Sequence, residues 1–126
     1  MEDMLFQIDF CEKLLSKNPN FVEALVTLGE LYTRQGLYDK GLQIDLRLIQ
    51  LQPQDPICHY NLACSYALLM RPTEAFQALE QAITLGYNDF ELLEEDSDLN
   101  SLRRDPRYKE LLGKYFKKSF SQKDSL

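Results

Sequence analysis

Three residues near the middle of the chain carry side chains that commonly bind metal ions. Cys58, His59 and Cys64 supply the thiolate and imidazole groups that zinc prefers. Zinc needs about four ligands around one point, and His59 is the only histidine of the sequence. The spacing of the two cysteines would also point them in different directions on a helix. The sequence therefore predicts no metal and no cofactor, with both cysteines serving as small apolar residues.

An acidic run, ELLEEDSD at residues 91–98, is the second candidate for chemistry. It lacks both the ligand spacing of a calcium-binding loop and that loop's central glycine. Paired catalytic carboxylates are a second interpretation, and a solvated acidic helix face is the one we favour. The chain has no glycine-rich phosphate loop and no Ser or Cys with an obvious basic partner. We predict no catalytic residues and a protein that is not an enzyme.

Length and charge narrow the class of protein further. A chain of 126 residues suggests one domain. Residues 1–102 hold 6 Lys/Arg against 17 Asp/Glu, which should repel nucleic acid, whereas residues 103–126 hold 8 against 3. No apolar run reaches the roughly 18 to 20 residues of a membrane helix, and the acidic start differs from a secretion signal. These features predict a cytoplasmic protein that binds neither nucleic acid nor membrane.

The elements that must hold these side chains repeat along the sequence. One constant shift places Leu28 on Leu62, Gly29 on Ala63, Tyr32 on Tyr66, Gly41 on Ala75 and Ile49 on Ile83. A period of about 34 residues is typical of stacked repeats. Each copy reads as two helices separated by turn residues.

Capping residues set the predicted helix ends. Asn20 with Glu23 three residues later resembles a capping box, and Gly36 suits a left-handed helix end. Asp55 with Pro56 predicts the start of the second copy, and Pro72 predicts the start of its second helix. Small residues at positions 29, 41, 63 and 75 let paired helices approach closely.

The period and the pattern Gly29, Tyr32, Gly41 and Pro53, followed by Ala63, Tyr66 and Ala75, resemble the tetratricopeptide repeat. The pattern departs from the family at His59, where an aromatic residue is usual, and at several other positions. The resemblance implies an all-α fold, a right-handed superhelix of antiparallel helix pairs with about seven helices. It also implies a protein–protein interaction scaffold whose concave groove binds a partner segment.

The predicted domain spans residues 1–118. It comprises a half-repeat helix at 3–17, repeats at 22–55 and 56–89, and capping helices at 90–118, with a disordered tail at 119–126. On the half-repeat helix we expect Leu5, Ile8, Phe10, Cys11, Leu14 and Leu15 to pack inward, with Leu5 and Phe6 partly exposed at an uncapped end that invites self-association. In the capping region the predicted buried face comprises Leu99, Leu102, Tyr108, Leu111, Leu112 and Phe116.

The first helix of each repeat lines the concave groove in this family, and the resemblance assigns the groove residues by position. They are Glu23, Val26, Thr27, Glu30, Thr33, Arg34, Ile57, Tyr60, Asn61, Cys64, Ala67, Leu68, Glu91 and Glu94. Glu95 and Asp98 are further candidates. The predicted groove has an apolar floor in its middle and carboxylates on its flanks. An alternative is that the capping region folds across the same surface and buries part of it.

The charge pattern predicts a partner protein or peptide with apolar anchors and Lys/Arg flanks. Two other functions remain open. The chain resembles acidic chaperones of bacterial secretion systems, which keep an aggregation-prone substrate soluble. Alternatively, Arg103, Arg104 and Arg107 could bind an anion or nucleic acid, with a steep dependence on salt.

Overall fold

The computed structural model describes residues 2–124 and the side chains of residues 3–115. Its eight α-helices are α1 (Glu2–Lys17), α2 (Val22–Arg34), α3 (Tyr38–Leu51), α4 (Pro56–Leu68), α5 (Pro72–Thr84), α6 (Phe90–Glu95), α7 (Asn100–Arg103) and α8 (Pro106–Asp124). A 3-10 turn at Ser97–Leu99 separates α6 from α7, and the described residues contain no strand. The predicted all-α class is confirmed.

The two repeats have matching boundaries. The shift that maps Leu28 onto Leu62 also maps the first and last residues of α2 onto those of α4. It maps the start of α3 onto the start of α5 as well. Each pair is joined by a short turn, which makes a helical hairpin. Consecutive helices from α1 to α5 pack against one another, as stacked repeats require.

Small residues mark the closest contact within the first repeat. A Cβ atom on Gly29 would lie 3.2 Å from Ile44 Cγ2, and one on Gly41 would lie 3.1 Å from Thr33 Oγ1. In the second repeat Ala63 and Ala75 are fully buried. The predicted role of the small positions is therefore confirmed, since larger side chains would push the helices apart.

Most helix ends lie where the capping residues predict them, and one N-cap residue differs from the prediction. Asp55 accepts a hydrogen bond from the Ile57 backbone N–H at 2.9 Å, and Gly36 has a φ of +77°. The predicted capping box at Asn20 is wrong, because the N-cap residue of α2 is Phe21. The Asn20 side chain accepts a hydrogen bond from Arg47 instead.

Helix α1 packs on α2 through Ile8 and Cys11, as predicted, but Phe10 is 55% exposed. At 100° per residue Phe10 lies about 100° from Cys11 around the helix axis, which places it outside the buried stripe. Leu5 and Phe6 are also exposed. The outward position of Phe10 corrects the sequence interpretation.

The described residues hold eight α-helices, one more than the seven predicted. The additional helix is α7, which follows the 3-10 turn because Leu99 and Leu102 are completely buried and hold this stretch against the repeats. Tyr108, Leu111 and Leu112 are buried as predicted, and the Phe116 side chain lies outside the described residues. Helix α8 continues to Asp124, so residues 119–124 of the predicted disordered tail are helical. Residues 125–126 of the predicted tail lie outside the description.

Candidate functional site

The concave side of the second repeat is covered by residues 90–103, which we name the closing segment. It contains α6, the 3-10 turn and α7, and it packs along α4. Tyr60 is 4% exposed and Ala67 is 2% exposed, although both were predicted to face an open groove. The alternative in which the capping region folds across this surface is therefore the one that the structure adopts.

Asp96 joins the closing segment to α4. The Tyr60 hydroxyl donates a hydrogen bond to Asp96 Oδ2 at 2.6 Å, and the Cys64 thiol contacts the same oxygen at 3.9 Å. The Tyr60 ring stacks on Tyr87 with 4.4 Å between centroids. Burial and the neighbouring Asp96 carboxylate raise the pKa of Cys64 well above its ordinary value. The thiol therefore stays neutral and acts as a weak donor to Asp96.

Arg103 holds the closing segment in its turn. Its guanidinium donates to the carbonyl oxygen of Leu93 at 2.7 Å and to that of Asp96 at 2.5 Å. Arg107 pairs with Asp105 at 2.8 Å and donates to Thr73 at 3.0 Å. Arg104 donates to the Asn100 carbonyl oxygen at 3.4 Å, so all three arginines considered for anion binding have protein partners.

A cavity of about 210 Å³ remains between α2, α4 and the closing segment, and we name it the central cavity. It is lined by Val26, Gly29, Glu30, Thr33, Arg34, Asp45, Leu48, Tyr60, Asn61, Cys64, Ser65, Leu68, Asp96 and Asp98. Four of these residues are carboxylic acids and one is a strong cation. The cavity is consequently an acidic recess with some apolar wall.

Asp45 lies in the wall of the central cavity, on α3. Its side chain is 7% exposed and accepts a hydrogen bond from the Ser65 hydroxyl. Burial raises the pKa of Asp45 from its ordinary value of 3.8 to about 6, and the bond from Ser65 only partly offsets this. Burial, together with the charge of Asp96, also raises the pKa of Asp98. Both carboxylates are thus poised to gain from a nearby positive charge.

Cys64, Asp96 and Asp98 place one potential metal-ligand atom each within 4.8 Å of one another. This group differs from the cysteine–histidine set considered in the sequence. Cys58 is buried and its thiol contacts Gln52 Oε1 at 3.7 Å, while His59 Nε2 lies 2.8 Å from the Pro53 carbonyl oxygen. The group offers three ligand atoms, fewer than the four of a structural zinc site, and the Cys64 thiol already contacts Asp96 Oδ2. We assign no metal to it.

Comparison with known proteins identifies the architecture. Residues 7–82, more than half of the chain, match the family described as "Anaphase-promoting complex, cyclosome, subunit 3", whose repeats are of the tetratricopeptide type. The chain belongs to the tetratricopeptide-type repeat family. It is also 30% identical over 101 residues to a protein of Arabidopsis thaliana whose name marks it as chloroplastic. That match covers 78% of this chain and 30% of the relative, so the chain spans less than a third of the relative's length.

Membership in the tetratricopeptide-type family carries a coarse functional statement. The family generally mediates protein interactions and is typically non-catalytic. Among the described residues, no helix combines the length and the apolar character needed to cross a membrane.

The predicted groove residues of this repeat protein separate into four groups. Eight line the central cavity: Val26, Glu30, Thr33, Arg34, Tyr60, Asn61, Cys64 and Leu68. Glu23 and Thr27 line a different cavity beside α1. Ala67 lies under the closing segment, where its carbonyl oxygen accepts from the Ser101 hydroxyl at 3.4 Å. Ile57, Glu91 and Glu94 are exposed outside both cavities.

Sequence reasoning missed Asp45, Ser65 and Asp96 as cavity residues, whereas Asp98 had been a further candidate for the groove and lines the central cavity. One signal for Asp45 was present in the period, because its equivalents in the neighbouring copies are Cys11 and Leu79. Both equivalents are buried, so an acid at this position breaks an apolar pattern. Asp96 lies outside the repeats, and the period could not place it.

Proposed function

We propose that this chain is a non-enzymatic scaffold that binds a basic segment of a partner protein at the central cavity. The observation that carries the proposal is the buried carboxylate of Asp45. A charged group in a desolvated position lowers stability unless it is paired, and the equivalent positions of the other copies hold apolar residues. Ionisable groups with perturbed pKa values in a recess are common at functional sites.

The chemistry of the walls specifies the partner. Glu30, Asp96 and Asp98 surround the same recess as Asp45, so a Lys or Arg side chain would find several carboxylates. Val26 and Leu68 are half-buried beside them and offer apolar contact. We therefore propose a partner segment with a basic residue at the cavity and apolar anchors next to it. This order differs from the apolar centre with basic flanks expected from the sequence.

Fluorescence anisotropy with synthetic peptides tests the proposal. The probe is a labelled peptide with one arginine between leucines, and its control carries glutamine in place of the arginine. We expect Glu30→Lys to weaken binding of the arginine peptide by about tenfold, as expected for replacing an attractive contact with a repulsive one. Glu94→Lys is the matched control, because Glu94 is exposed and does not line the central cavity.

Two results would contradict the proposal. One is equal affinity for the arginine and glutamine peptides. The other is an equal loss of affinity in the Glu30 and Glu94 variants, which would indicate attraction to the overall negative charge. A Glu30→Gln variant should give an intermediate loss, because it removes the attraction without adding repulsion.

The location of the chain stays a prediction. The sequence indicates a cytoplasmic protein, whereas the plant relative is named as chloroplastic. We propose no pathway from that name, since the match covers only 30% of the relative.

A further inference from the structure

Within residues 2–124, no helix packs on the outer side of α1 in the way that helices pack on its counterparts. By the repeat period, α1 corresponds to α3 and α5. Helix α3 packs against α2 of its own repeat, and α5 packs against α4. Within residues 2–124 no helix takes the equivalent place beside α1.

The vacant place is a large apolar depression. It has a volume of about 360 Å³ and is lined by Phe6, Gln7, Phe10, Cys11, Leu14, Phe21, Glu23, Ala24 and Thr27. Phe6 is 70% exposed and Phe10 is 55% exposed. The depression lies between α1 and α2, which is where a helix preceding α1 in a repeat stack would sit.

Charged residues on α1 show which helix fits there. At 100° per residue, Asp3, Phe6, Phe10, Lys13 and Lys17 fall within about 80° of one another around the helix axis. This set, which we name the outer face of α1, is exposed throughout. It has an acid at its start, two aromatic rings in its middle and two lysines at its end, and the exposed Asp9 at its edge pairs with Lys13 of the same helix at 3.0 Å. Such a face is complementary to itself when two copies lie antiparallel.

We propose that the outer face of α1 binds α1 of a second copy of this chain, antiparallel and about a twofold axis near Phe6 and Phe10. Asp3 of each copy would then lie beside Lys13 of its partner, and the phenylalanine rings would pack together. The orientation also agrees with the repeat stack, because paired helices in a repeat run antiparallel. The interface is isologous, so it closes at two copies.

On α1, the position equivalent to the small contact residues of the repeats holds a larger side chain. A helix packed on this face would therefore lie farther away than the partner helix within a repeat. Gly41 in α3 and Ala75 in α5 both correspond to Gln7 in α1. Glutamine prevents the close approach that Gly29 and Gly41 permit in the first repeat. Helices at this surface must therefore meet through the larger phenylalanine side chains, and α1 itself supplies these on both sides of a twofold axis.

This interface is independent of the central cavity and of the proposed partner. It would cover Glu23 and Thr27, which line the depression, and leave Glu30 and Asp45 free. Loss of one interaction would therefore not imply loss of the other.

Sedimentation equilibrium on the full chain tests the inference. We expect the wild-type chain to dimerise reversibly at micromolar to millimolar concentration. Phe6→Asp and Phe10→Asp should each raise the dimer dissociation constant at least about tenfold, because each removes buried apolar area from the interface. Met70→Asp is the matched control. Met70 is 72% exposed, lies in the α4–α5 turn with a φ of +58°, and is remote from α1 in the chain.

A charge-exchange experiment tests the antiparallel arrangement. One double variant, Asp3→Lys with Asp9→Lys, replaces the exposed acids at positions 3 and 9 by lysines. The other double variant, Lys13→Glu with Lys17→Glu, makes the end of the helix acidic. Each doubly substituted chain should be more weakly dimeric than wild type, because like charges would meet across the axis. An equimolar mixture of the two should form a heterodimer tighter than either homodimer.

Three outcomes would overturn the proposal. A wild-type chain that stays monomeric up to millimolar concentration would show that the depression does not bind a second copy of this chain. Unchanged dimerisation in the Phe6 and Phe10 variants would place the interface elsewhere. Failure of the mixed variants to associate, with circular dichroism showing both folded, would exclude the antiparallel pairing.

Discussion

The two repeats have the same helices but different concave faces. Equivalent positions on the two faces are Val26 and Tyr60, Glu30 and Cys64, and Thr33 and Ala67. In the first repeat Val26 and Thr33 are half-buried and Glu30 is exposed. In the second repeat all three equivalents are buried, with exposed fractions of 4%, 7% and 2%.

The difference comes from the closing segment and not from the repeats. Both faces are built on a first helix of 13 residues with the same boundaries. Residues 90–103 pack mainly on the second repeat, and Tyr60, Cys64 and Ala67 supply the surface that they cover. A repeat surface is thus a binding surface only where the rest of the chain leaves it free. The central cavity lies at the boundary between the free face and the covered face.

The largest expected effect is on the packing of the closing segment. Leu102 is completely buried, so Leu102→Ala should lower the free energy of unfolding by about 2–5 kcal/mol. Leu37→Ala is the control, because Leu37 is 42% exposed and its truncation should cost less than about 1 kcal/mol. Urea denaturation measures both values. An unfolding midpoint unchanged in Leu102→Ala would mean that the closing segment detaches independently and that the second face is not stably covered.

The next effect concerns Asp45, the buried acid between the two faces. Its pKa is raised from 3.8 to about 6, so between these values the folded state binds more protons than the unfolded state. Stability should therefore fall as pH rises from about 4 to about 6, by about 3 kcal/mol in total. Asp45→Asn should remove this part of the pH dependence and be more stable than wild type at neutral pH.

Thermal unfolding at a series of pH values measures the Asp45 effect. The control is Asp39→Asn, which alters an exposed carboxylate on the same helix and should leave the slope between pH 4 and 6 as in wild type. An Asp45→Asn variant with the wild-type slope would show that Asp45 is not the group that titrates.

The smallest effect concerns the hydroxyl that links the second face to the closing segment. Tyr60→Phe removes the hydrogen bond to Asp96 and should lower the free energy of unfolding by about 1.5 kcal/mol, the value for a bond to a charged group. Tyr66→Phe is the control on the same helix, because its hydroxyl has no hydrogen bond within the described residues. Equal losses of unfolding free energy in both variants would indicate that the hydrogen bond from Tyr60 to Asp96 does not stabilise the fold.

The repeats could be predicted because local chemistry dictates them. Pro56 and Pro72 begin helices, and the positive φ of Gly36 and Gly86 ends them, so these boundaries agree with the sequence. The N-cap prediction at Asn20 was wrong because the Asn20 side chain accepts a hydrogen bond from Arg47, which lies on another helix. That contact joins residues far apart in the chain, so rules based on neighbouring residues cannot predict it.

The cavity residues could be predicted only in part. Eight of the predicted groove residues line the central cavity because the family pattern fixes which face of α2 and α4 is concave. Asp96 escaped prediction because it reaches the cavity through a non-repeating segment. Ser65 escaped because its partner, Asp45, lies on a different helix.

By itself the sequence determined the family, the helix pairs and the close contacts at Gly29, Gly41, Ala63 and Ala75. These depend on periodicity, turn residues and side-chain size, which are local properties. Only the tertiary structure decided that the closing segment covers α4, that Asp45 is buried beside Ser65, and that Phe10 faces outward. Those outcomes depend on which surfaces meet, and burial of apolar area between distant segments selects among many arrangements that the local pattern permits equally.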